Sequence, residues 1–257
     1  MTAYYWMSFY LDPVRLGFAE LINSASRALV NAGCRFKNVR IPKVEDFSLP
    51  PSKWRYSFER RTVTLEEAER MTALDLHDRN IGSAHHSKLP VTMYYVLDFQ
   101  FDQDLWKSIV ENPKISDKEE VKEVHLDFWH DEDPVIGRRI TIRVTPWEEY
   151  VLMYGRHETH HQNKLRIVRL AEQIYKDARP YFGWMDGELM SNDESYAQLL
   201  RKELPIGNEF SIIGPRMMSY LDFAKLQRSP YAWKTLPDGG VMIQNLLRES
   251  MPGQRAI

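Results

Sequence analysis

The chain has 257 residues, with 34 basic and 36 acidic side chains and a formal net charge of −2 at pH 7. That balance gives no electrostatic case for nucleic acid, which calls for a basic surface, and the 43% hydrophobic fraction supports a packed core rather than a disordered chain. No run approaches the roughly 18 apolar residues of a membrane span, the N-terminal MTAYYWMSFYLDP lacks the features of a signal peptide, and the single Cys34 excludes an internal disulfide. The expectation is a cytoplasmic protein with no membrane or nucleic-acid role.

Ala3 to Leu11, dense in aromatic residues, reads as a buried first strand ended by Pro13. Leu16 to Ala32 follows as a helix, with Leu16, Ala19, Ile22, Ala25 and Leu29 roughly in line and Gly33 placed to terminate it. Arg35 to Ile41 reads as a short strand, and Pro50-Pro51 marks a loop from Phe47 to Trp54. Thr64 and Glu67 form a capping-box pattern that opens a helix to about Leu76. His77 to Pro90 is polar and reads as a loop. Val91 to Phe101 reads as a central strand, followed by a short helix over Asp102 to Val110 and a solvated stretch. Val124 to Trp129 and Arg138 to Val144 form an antiparallel pair. In the second strand Ile140, Ile142 and Val144 alternate with Arg139, Thr141 and Arg143, which predicts one wet face.

Lys164 to Ala178 is the longest clear helix. Leu165, Val168, Ala171, Ile174, Tyr175 and Ala178 share a face, Pro180 stops it, and Arg179 before the proline is biased toward extended backbone. Tyr181, Phe182 and Trp184 then enter a short strand. Ser195 to Leu204 is helical, Glu209 to Ile213 a strand, and Arg216 to Leu226 a helix. Pro237-Asp238-Gly239-Gly240 marks a turn before a last strand, Val241 to Leu246. Strands and helices do not strictly alternate. That predicts one α+β domain over residues 1–257, with a mixed or mostly antiparallel sheet, helices on one side, and a sub-boundary possible near 155–163.

One motif carries potential chemistry. His157-Glu158-Thr159-His160-His161 fits H-E-x-x-H. On a helix, His157 and His161 project from one face and can bind zinc, with Glu158 as general base toward a metal-bound water. The pattern resembles the zincin metallopeptidases. Its flanks depart from theirs: Gly155, Arg156, Gln162, Asn163 and Lys164 are polar, and no further histidine stands at the metzincin spacing. The plainer reading is a solvated loop or first helical turn. Cys34, beside Arg35 and Lys37, could be an activated thiolate, but a buried inert thiol is the simpler expectation. His85, His86, His125 and His130 read as surface or hydrogen-bonded side chains. Asp98, Asp102 and Asp104, and Asp131, Glu132 and Asp133, read as solvated carboxylates that could otherwise hold a divalent ion or act as acid and base.

Two C-terminal stretches, ARPYFGWMDGE (Ala178 to Glu188) and FSIIGPRMMSYLDFAKLQRSPYAWKTLPDGGVMIQ (Phe210 to Gln244), are similar to the immunity protein 52 group of bacterial polymorphic toxin systems. The middle, Pro42 to Gly155, has no counterpart in that resemblance. It implies a non-enzymatic α+β protein without catalytic residues or cofactor that binds and neutralises one protein toxin. Acidic loops suit that task when the toxin is basic. Asp131, Glu132 and Asp133, with Trp184, Asp186 and Glu188, are the candidate partner-binding residues. A solvated turn and a core-facing strand are the alternatives for these two segments. Two other functions stay open: a zinc-dependent hydrolase using His157, Glu158 and His161, and a subunit of a bacterial defence or assembly complex.

Overall fold

A computed structural model describes residues 6–12, 17–44, 56–80, 95–101, 123–146, 157–186, 194–205 and 210–244. The expected loop Phe47 to Trp54, the short helix Asp102 to Val110, the pair His85-His86, and Glu188 lie outside the described residues. The elements in order are β1 (Trp6–Leu11), α1 (Phe18–Asn31), β2 (Cys34–Val44), β3 (Tyr56–Arg61), α2 (Leu65–Asn80), β4 (Val96–Phe101), β5 (Glu123–Asp133), β6 (Gly137–Pro146), α3 (His157–Ala178), β7 (Phe182–Asp186), α4 (Glu194–Leu200), β8 (Phe210–Ile213), a 3-10 helix (Pro215–Tyr220), α5 (Phe223–Arg228), β9 (Ala232–Thr235) and β10 (Val241–Gln244).

Among the described residues the strands form one ten-stranded sheet in the order β3-β2-β4-β5-β6-β1-β7-β8-β10-β9. Every neighbouring pair is antiparallel. The α+β reading therefore holds, with a largely antiparallel sheet. Alternation along β1 shows how the sheet is covered. Met7, Phe9 and Leu11 join a large apolar cluster with α1, α2 and α3, through residues such as Leu21, Ile22, Ala68, Ala171 and Ile174. Tyr10, on the opposite face, joins a second cluster with Phe182, Trp184, Ile213 and Ile243. That cluster is capped by Tyr196 and Leu199 of α4, Met217 of the 3-10 helix and Leu226 of α5. The long helices thus share one face, as expected, and short C-terminal helices cover part of the other.

Several boundaries differ from expectation for physical reasons. β2 runs past Pro42, and among the described residues β4 pairs with it only as far as Arg40. Beyond that point the described pairing is on its β3 side alone, and a proline is tolerated. α2 continues through His77, whose ring packs against Phe18 at 6.5 Å between centroids. Its start is as expected: the Glu67 amide donates to Thr64 Oγ1 at 3.2 Å. The helix expected over Arg216 to Leu226 is broken at Leu221, which is extended. Asp222 then starts α5 by accepting the Lys225 amide at 3.0 Å. Arg179 is not extended but left-handed, with φ 48°, and its amide closes the end of α3 on the Tyr175 carbonyl at 2.8 Å. The strands β3 and β9 carry no clear alternation and were not expected. No described helix is long and apolar enough to cross a membrane.

Candidate functional site

The acidic segment between β5 and β6 is ordered by its own side chain. β5 extends to Asp133, which pairs with Gly137 across a turn of Pro134, Val135 and Ile136. Gly137 takes φ 89°, a conformation glycine adopts freely. Asp133 is not solvated. Its carboxylate accepts the amides of Val135 at 2.8 Å and Ile136 at 3.0 Å, and the hydroxyls of Tyr181 at 2.8 Å and Tyr196 at 3.2 Å. Arg139 Nη1 lies 3.7 Å away, with its guanidinium 4.1 Å over the Tyr10 ring. Burial, reinforced by the Asp133 charge, pushes the Tyr181 and Tyr196 phenols up, so both stay protonated donors. This corrects the expected wet face of β6: Arg139 and Thr141 are buried.

What the buried node presents outward is short. Glu132 and Pro134 are exposed, and Val135 is 39% exposed. Asp131 pairs with Arg139 in the strand register, and its side chain is outside the description. Of the second expected segment, Trp184 is only 4% exposed and donates from Nε1 to the Tyr10 hydroxyl at 3.1 Å. The core-facing alternative describes it. Asp186 closes β7 opposite Trp6, with its side chain outside the description. Three glycines of the C-terminal stretches sit where a side chain would collide. An added Cβ at Gly183 would meet Phe9 at 2.8 Å, at Gly214 the Pro180 carbonyl at 2.6 Å, and at Gly240 the Tyr175 hydroxyl at 2.4 Å. These three glycines let α3, β7, β8 and the β9–β10 turn pack closely.

His157, Glu158 and His161 lie in the first turns of α3, so the H-E-x-x-H spacing is helical. Their side chains are outside the description. Among the described residues no group of three or more His, Cys, Asp or Glu is arranged to hold a metal ion. Cys34 is buried, and burial pushes its thiol up to about 12, which keeps it protonated and inert.

A charged network that the sequence reading treated as separate residues lies on the sheet face opposite the long helices, across β2, β4, β5 and β6. Asp98 is fully buried. Its Oδ1 accepts from Arg40 Nε at 3.0 Å and lies 2.8 Å from His125 Nδ1, while Oδ2 has no hydrogen-bond partner among the described residues. Two residues along, Asp127 accepts from Trp129 Nε1 at 3.0 Å, and Arg143 stacks 4.0 Å over the Trp129 ring. Burial pushes the Asp127 carboxyl up to about 6 despite the Arg143 charge and the Trp129 hydrogen bond. Alternation held the signal: His125, Asp127 and Trp129 interleave with the buried Val124, Leu126 and Phe128.

No protein-family model matches the chain, and no curated protein matches it. Among solved structures it is similar to Pseudomonas aeruginosa T6SS protein PA0821, with 9% sequence identity and a TM-score of 0.41. The match covers 94% of this chain and 65% of that one, so the chain spans about two thirds of that structure's length.

Proposed function

We propose that this chain is a non-enzymatic protein-binding protein of the cytoplasm, folded as one domain, that neutralises a cognate bacterial toxin. The observation that carries the reading is the β5–β6 tip. A buried carboxylate with four hydrogen bonds orders the turn that carries Glu132, Pro134 and Val135. A pre-ordered loop binds a partner without the entropy loss of ordering it on contact. Exposed Val135 supplies an apolar anchor, and exposed Glu132 supplies charge complementary to a basic partner. The resemblance of the C-terminal stretches to immunity proteins supports the toxin as partner. Asp186 pairs with Trp6 at the far end of the strands from this turn, so it lies outside the proposed contact surface.

The test is purification from the native host followed by co-expression. The expected result is one stoichiometric protein partner that arrests growth when expressed alone and is silenced by this chain. The paired change Glu132→Lys with Val135→Asp weakens that protection by about tenfold or more, since central anchors carry most binding energy. No partner, or protection unchanged in the variant, contradicts the reading. A partner that does not arrest growth favours a subunit of a defence or assembly complex.

The helical placement of residues 157–161 supports a second reading, a zinc hydrolase with His157 and His161 as ligands and Glu158 as base. It predicts one zinc per chain that is lost in His161→Ala. No zinc in purified wild-type protein removes it.

A further inference from the structure

Between the C-terminal half of α3 and the β9–β10 turn lies a cleft of about 530 Å³. Its walls follow from two periodicities. Arg169, Glu172, Gln173 and Lys176 recur at three- and four-residue spacing, so they line one face of α3, while Val168, Ala171, Ile174 and Ala178 turn into the core. The opposite wall is Lys234 of β9 with Leu236, Pro237 and Asp238 of the turn.

The charges around this cleft are unequal. Among the described residues, Arg169, Lys176, Arg179 and Lys234 face two carboxylates, Glu172 and Asp238. Both carboxylates already have partners. Glu172 pairs with Lys234 across the cleft. Asp238 accepts the Tyr175 hydroxyl at 2.7 Å and the Gly240 amide at 3.1 Å. Among the described residues, Arg169, Lys176 and Arg179 are exposed and no carboxylate pairs with them. The end of α3 favours the cations in its last turn, which accounts for Lys176 and Arg179. It does not account for Arg169, more than two turns earlier, nor for Lys234 on another element. The floor is apolar where Leu236 packs into the core.

We propose that this cleft binds a small organic anion carrying at least two phosphate or carboxylate groups on an apolar body. Its volume lies within the roughly 300–1,000 Å³ of small-molecule sites. The guanidiniums of Arg169 and Arg179 suit bidentate pairing with such groups, and Lys176 adds a point charge between them. Leu236 and Pro237 offer the apolar contact. The site is separate from the β5–β6 tip and does not depend on the toxin-neutralising reading.

Titration calorimetry on the full chain at low salt tests it, with ATP as the phosphate probe and citrate as the carboxylate probe. The expected result is saturable binding of at least one probe below about 1 mM, which is the weak end of specific affinity. ATP alone assigns phosphate recognition and citrate alone assigns carboxylate recognition. Binding falls about tenfold or more in the double variant Arg169→Ala with Lys176→Ala, both at exposed positions where truncation spares the fold. It is unchanged in Arg60→Ala on β3, an exposed cation at the other edge of the sheet. Silence of both probes, or equal loss in Arg60→Ala, overturns the proposal.

Discussion

Asp133 shows how one side chain can set the geometry of a whole turn. Removing it leaves two phenols and two amides without this acceptor and takes a carboxylate from beside Arg139, in a buried site. Asp133→Ala is therefore expected to cost about 3–5 kcal/mol, the range for breaking a buried charge pair. The neighbouring exposed change Glu132→Ala stays within about 0.5 kcal/mol. Urea midpoints of the two variants check this. Asp127 makes a pH-dependent prediction. Folding raises its carboxyl from an ordinary value of 3.8 to about 6, so the folded state takes up the proton first. The stability this proton confers is complete below about pH 4 and is lost as pH rises through about 6. Asp127→Asn removes that dependence, so the variant gains on wild type at pH 7 compared with pH 4. An unchanged difference between the two pH values would show that Asp127 titrates normally.

Elements with local signals were legible. Thr64 and Glu67 announced α2, and the Thr64 hydroxyl does accept the Glu67 amide, so Thr64→Ala is expected to lower stability by about 1 kcal/mol in thermal or urea unfolding. The apolar stripe of α3 and the Asp-Gly-Gly turn before β10 were equally plain in sequence. β3 and β9 were not: each is an edge strand paired on one side only, with its neighbour in sequence, and neither carries a clear apolar alternation of its own. The burial of Arg139 was also hidden. Alternation marks two faces, but it cannot say that the polar-looking face of β6 will be covered by Tyr10, Tyr181 and Tyr196. The candidate site was half legible for the same reason. The acidic run stood out, while the aromatic side chains that fold Asp133 inward lie 48 and 63 residues later.

At the scale of the molecule, β1 ties the two apolar clusters together. It pairs with β6 on one side and β7 on the other, and its alternate residues feed opposite faces. Residues 157–163 are continuous with the rest of α3, so a boundary there would divide a helix. One cooperative unfolding transition is expected by circular dichroism and tryptophan fluorescence, with the slowest amide exchange in β1, β6 and β7. Two separate transitions would contradict a single folding unit.

The most direct measurement of partner binding through the β5–β6 tip is site-specific photo-crosslinking in the native host. A benzophenone-bearing residue would be placed at Val135, with Arg60 as the comparison position. One protein adduct at position 135, absent at position 60 and lost when Glu132→Lys is added, is the predicted result. No adduct at position 135, or the same adducts at both positions, would contradict it.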